Sequence, residues 1–157
     1  MLDEYFSYSL IDYYRAHHFY ENLYYVATVI IDSLGSLADS TRLARMYYIK
    51  GMSEVLLKND DDALTSFRCA LNCNASDIRC YHAVGSIFLR KAHDLFDSNT
   101  LQPHTKKYQR WKTELNALYN NAAQAFEKVR VLAPDQHNLW LSELRECYYK
   151  LNKGKEL

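Results

Sequence analysis

Glycine and proline are scarce in this chain, four and two among 157 residues. Hairpin-rich β architectures draw heavily on both, so the shortage fits helices joined by short turns. Net charge is also missing: Lys and Arg total 19, Asp and Glu total 19. No global field therefore argues for nucleic acid or for an anionic membrane surface. No run of the sequence approaches the roughly 18 apolar residues of a membrane span. Met1 is followed by Asp3 and Glu4, with no basic region leading into an apolar core, which favours a cytoplasmic chain. A periplasmic chain whose leader has been removed is the alternative. There is no glycine-rich phosphate loop, no helical two-histidine motif with a glutamate between, and no nucleophile elbow, so neither catalysis nor a cofactor is expected. The four cysteines, Cys69, Cys73, Cys80 and Cys147, match no common zinc pattern and read as buried structural thiols.

What is present is helical periodicity. Hydrophobic residues make up 48% of the chain and charged residues 24%, enough for a sizeable core. Residues 2–34 read as two helices, one carrying Phe6, Leu10, Tyr13 and Tyr14, the next Leu23, Val26, Ala27, Ile30 and Ile31. The segment Ser33 to Ser40, with Gly35, is a longer turn, and Asp39 or Ser40 can cap a helix from Thr41 to Lys58. Asn59 is expected to cap the next helix, with Asp60, Asp61 and Asp62 complementing the positive end of its dipole. A calcium loop would need a glycine and a terminal glutamate that this triplet lacks. Beyond Ser76 and Asp77 a helix runs to Phe96, Asp97 to His104 is a turn, and Thr105 to Leu132 is one long amphipathic helix. After Pro134, Asp135 is the expected cap of a last helix over about 136–152, ending near Lys153, Gly154 and Lys155. The expectation is an all-α protein of about seven helices in an antiparallel helix-turn-helix array.

Two glycines interrupt this pattern at a set distance. Gly51 and Gly85 are 34 residues apart, each four residues after a tyrosine, Tyr47 and Tyr81. Gly51 is followed by Ala63, Phe67 and Ala70. Gly85 is followed by Ala122, Phe126 and Val129 at the same mutual spacing but 25 residues late. A glycine inside a helix costs about 1 kcal/mol relative to alanine, and close approach of a neighbouring helix is a compensating reason. The pattern is that of a repeat with an insertion in its second copy.

This spacing resembles the tetratricopeptide repeat, a 34-residue helix-turn-helix unit. Tyr47, Gly51, Ala63, Phe67 and Ala70 match its signature, although Ala75 stands where proline is preferred; Tyr81, Gly85, Ala122, Phe126 and Pro134 match in the interrupted copy. The resemblance implies a single domain over residues 1–157 wound as a right-handed α-α superhelix. It would comprise a degenerate repeat at about 2–34, a regular one at about 41–74, an elongated one at about 77–132 projecting as a helical hairpin, and a capping helix. The elongated hairpin with its Ala133, Pro134 and Asp135 exit resembles repeat proteins common in Bacteroidetes.

The resemblance also implies a protein-interaction scaffold or adaptor, whose first helices line a groove for a peptide or partner segment. By position the groove residues are Arg45, Tyr48, Met52 and Leu56, then Arg79, His82, Ser86 and Arg90, with Leu141, Arg145 and Tyr149 from the last helix. Arginine beside tyrosine is hot-spot composition and favours an acidic ligand; solvated arginines on an unoccupied face are the plain alternative. Tyr48 and Met52 stand where a chaperone-tail clamp has lysine and asparagine, which disfavours that partner. Seven of the 14 tyrosines fall in the first 25 residues: Tyr5, Tyr8, Tyr13, Tyr14, Tyr20, Tyr24 and Tyr25. They offer either a homodimer face, making the chain a structural subunit of a larger assembly, or snorkelling rings with exposed hydroxyls. Lys106, Lys107, Arg110 and Lys112 with Tyr108 and Trp111 form a basic, aromatic cluster, but nucleic-acid binding is disfavoured by the neutral total. Among the histidines, His17 and His18 read as surface groups near a turn, and His82 and His93 as polar helix residues three turns apart.

Overall fold

A computed structural model of the chain describes residues 4–34 and 39–152, without the side chains of residues 4–8 and 34. Seven α-helices and no strand occur among the described residues: α1 (Glu4–Ala16), α2 (Tyr20–Leu34), α3 (Ser40–Leu56), α4 (Asp60–Cys73), α5 (Ile78–Asp97), α6 (Lys106–Leu132) and α7 (Leu141–Lys150). The all-α expectation holds, helix by helix. The turn at Gly35, the side chains of Tyr5, Phe6 and Tyr8, and the end at Lys153, Gly154 and Lys155 lie outside the described residues. The chain divides into two compact units, Met1–Cys80 and Tyr81–Leu157. No helix among the described residues is long and apolar enough to cross a membrane.

In the first unit the apolar stripes of α1 and α2 meet α3 in a cluster of Ile11, Leu23, Ile30 and Met46, with Tyr14, Val26, Ile31 and Ile49 packed against it. The turn out of α1 places His18 at φ 59°, and the N–H of Phe19 returns to the Tyr14 carbonyl at 2.9 Å. Lys58 does the same after α3, at φ 63°, with the Asn59 N–H on the Glu54 carbonyl at 2.8 Å. These are left-handed helix stops of the kind usually given to glycine. Asp39 caps α3 as expected, its carboxylate accepting from the Thr41 N–H at 3.0 Å. Asn59 occupies the cap position of α4 but makes no side-chain cap bond; the Asp60, Asp61 and Asp62 triplet is left to favour that helix end through the dipole.

The α3–α4 pair is held by a ring against a bare backbone. Ala63, Phe67 and Ala70 are completely buried, and a Cβ on Gly51 would lie 2.8 Å from Cε1 of Phe67. The second unit repeats the joint between α5 and α6, where a Cβ on Gly85 would lie 2.8 Å from Cε2 and Cζ of Phe126. The extra residues are shared unequally. The α5 helix has 20 residues against 17 in α3, whereas α6 has 27 against 14 in α4. Both helices of this pair are therefore longer than those of the first, the second helix far more than the first. Thr105 caps α6, its hydroxyl oxygen accepting from the Tyr108 N–H at 3.1 Å. Six residues on, the Trp111 indole donates to the Leu95 carbonyl at 3.0 Å and fixes the long helix to α5.

The exit from α6 differs from the expected one. Asp135 caps no helix; a 3₁₀ turn, His137–Leu139, intervenes, and Trp140 stands at the start of α7. Its indole donates to the Ala133 carbonyl at 3.2 Å. The buried ring closes the turn that an aspartate cap would otherwise have set. Leu144, Cys147 and Tyr148 are the buried side of α7, and the Tyr148 hydroxyl donates to Glu127 of α6, which also pairs with Arg130 at 2.8 Å.

Candidate partner-binding face

On α3, residues 45, 48, 52 and 56 follow the three- and four-residue steps of a single face. Arg45 and Leu56 are exposed, while Tyr48 and Met52 are half-buried, because the Tyr48 ring leans on Phe67 with centroids 5.9 Å apart. Over the other side of that ring lies Arg79, its guanidinium carbon 4.6 Å from the centroid. This is cation–π distance, and it makes arginine and tyrosine one composite surface. Burial pushes the Tyr48 phenol up, against the opposing pull of Arg79.

Asp77, which the sequence marked only as a helix start, holds this arginine in place. Its carboxylate accepts from Nε of Arg79 at 3.0 Å, from a terminal nitrogen at 2.7 Å, and from the Arg79 backbone N–H at 3.1 Å. One aspartate thus caps α5 and grips the side chain two residues on. Asp77 is nearly enclosed, with 5% of its side chain exposed, whereas Arg79 keeps 58%. Burial alone would raise the Asp77 carboxyl; the hydrogen bonds and charge of Arg79, with the N–H groups of Arg79 and Cys80, hold it below the usual range. Arg79 is raised in turn, first through its bond to Asp77. An aspartate at a helix start with arginine two residues later was the available signal.

The remaining candidates belong to the second unit. His82 and Ser86 are half-buried and Arg90 is exposed, on one face of α5. His82 turns its edge to Phe126, centroids 5.8 Å apart at 82°, and the Ser86 hydroxyl donates to the His82 carbonyl at 2.9 Å. Both are thereby tied to their own scaffold. On α7, Leu141 is half-buried, Arg145 is exposed, and Tyr149 is 78% exposed. The contact that joins α7 to α5 is His93 with Glu146, Nε2 to Oε1 at 2.6 Å, beside Lys150 lying 4.5 Å over the Phe96 ring. Sequence reasoning had no signal for that histidine's partner, which is 53 residues away. The structure therefore groups Arg45, Tyr48, Met52 and Arg79 in one unit, and His82, Ser86, Arg90, Arg145 and Tyr149 in the other.

Among the described residues no group of three or more His, Cys, Asp or Glu side chains is placed to hold a metal ion. Cys80 and Cys147 are buried, and burial pushes both thiols up to about 12. Cys69 and Cys73 are only half-buried, which corrects the reading of all four as core thiols: α4 turns its 69/73 stripe away from the Ala63, Phe67 and Ala70 stripe. The buried carboxyl of Glu54 has one oxygen without a hydrogen-bond partner. Burial raises it, with Ser66 and Lys50 acting in the opposite direction. At the α1–α2 turn His17 stands 4.4 Å from the Tyr13 ring and stacks on Phe19 at 5.9 Å.

Fold and faces together define an all-α array of sequentially packed helices with an arginine–tyrosine surface on its first unit. No family model, curated protein or solved structure matches the chain.

Proposed function

We propose that the chain is a protein-interaction scaffold of tetratricopeptide-like construction, an adaptor that receives a peptide or an extended segment of another protein on its first-helix faces. The observation that carries this reading is Arg79 held over the Tyr48 ring by Asp77. A guanidinium fixed in advance loses less conformational freedom on binding than a free one, and arginine and tyrosine are the residues that concentrate interface energy. The Asp77 carboxylate engages Nε and one terminal nitrogen, leaving other N–H groups of the guanidinium's five for a ligand. Because Asp77 offsets the Arg79 charge, an acidic partner would be drawn by Arg45 and Arg79 together, and by Arg90 and Arg145 in the second unit. The test is partner capture in the native host with wild type, Arg79→Glu and Arg90→Glu. Recovery of the same partners at the same yield by both variants would rule out this face.

A second reading makes the chain a homo-oligomeric subunit, and a separate observation favours it. Tyr13 is 51% exposed and Phe19 47%, both in the ring cluster around His17, an apolar patch of the kind that marks protein contacts. Light scattering on the eluting protein at tens of micromolar decides this one: a strict monomer there removes the homodimer.

A further inference from the structure

Cys69 and Cys73 stand one turn apart on α4, half-buried, while the other two thiols are enclosed. Residues four apart on a helix share a face, with Cβ atoms about 5–6 Å apart. A disulfide needs about 3.5–4.5 Å, so an intact α4 keeps this pair from closing on itself. A metal ion between the sulfurs instead adds two bonds of about 2.3 Å each, a span the spacing accommodates. No third His, Cys, Asp or Glu side chain joins them in a group placed to hold a metal among the described residues. Two soft donors without a third do not suit zinc, which takes four ligands, whereas thiolates select Cu(I).

We propose that Cys69 and Cys73 form a two-thiolate site for a soft, low-coordinate monovalent cation, Cu(I). On binding, two sulfur–metal bonds form and two S–H bonds break. Both protons leave to water, and neither copper nor sulfur changes oxidation state.

The experiment is an anaerobic titration of the full chain against the Cu(I)–bicinchoninate complex. Wild type is expected to withdraw one Cu(I) per chain, Cys69→Ser and Cys73→Ser to lose at least a hundredfold in affinity, and both serine variants to keep the helical circular dichroism of the parent. In parallel, iodoacetamide is expected to modify Cys69 and Cys73 in the native protein, and bound Cu(I) to protect both; this arm uses wild type alone and stands even where a variant misfolds. No uptake by wild type, wild-type affinity in either serine variant, or alkylation of the pair unaffected by Cu(I) would overturn the site.

Discussion

At Gly51 a single hydrogen separates the α3 backbone from the Phe67 ring, and a Cβ there would stand 2.8 Å from Cε1. Helix propensity favours alanine by about 1 kcal/mol, while overpacking a rigid core costs about 1–3 kcal/mol. Phe67 is wholly buried and has no open side to turn into, so the packing cost wins. Gly51→Ala is expected to lower stability by about 1 kcal/mol in urea unfolding; a gain would mean that the ring yields. Charge at single residues sets a pH dependence of two opposite signs. Asp77 is held below its usual value in the fold, so its contribution is present above that value and is lost as pH falls through the folded pKa. Asp77→Asn, which retains a capping side chain, should cost about 1 kcal/mol near neutrality and flatten the acid limb of the stability profile. Glu54 is raised, so its contribution is present below its usual value and is lost as pH rises. Glu54→Gln should therefore gain on wild type as pH goes from about 4 to about 7, as read by urea midpoints; a constant difference would contradict the burial argument.

Helices were the most legible level, because the signals that delimit them are local. Thr105 and Asp39 announce their caps, and the absence of glycine and proline from Thr105 to Leu132 leaves α6 uninterrupted. Close approach of a neighbouring helix to Gly51 could be read from spacing, but that the Phe67 ring makes that approach could not. What could not be read depends on partners distant in sequence. The Trp140 indole reaches the Ala133 carbonyl and converts the expected aspartate-capped start into a 3₁₀ turn. His93 finds Glu146 only once α7 has docked. In the candidate face, the arginine and tyrosine were visible as residues, but their stacking was not, because it depends on α5 beginning beside the α3 ring. One stop and one latch each give a prediction at this scale. Lys58 adopts φ 63° where glycine has no steric cost, so Lys58→Gly is expected to raise stability by about 0.5–1 kcal/mol. Tyr148→Phe removes the hydroxyl that α7 donates to Glu127 and should speed amide exchange in α7 more than in α6. Equal acceleration in both helices would count against a local latch.

For the whole chain, the account rests on one joint used twice, a glycine of one helix against a phenylalanine of the next, at Gly51 with Phe67 and at Gly85 with Phe126. In sequence the members of the second joint are 25 residues farther apart than those of the first, yet each glycine would carry its Cβ into a ring at the same 2.8 Å. The two joints are therefore alike in geometry, although the second spans a longer stretch of sequence. The most direct test is equilibrium unfolding of Gly85→Ala, alone and combined with Phe126→Leu. The joint predicts a loss of about 1–2 kcal/mol for the alanine alone, and a neutral or stabilising alanine once the ring is replaced. A Gly85→Ala protein more stable than wild type, with Phe126 in place, would contradict it.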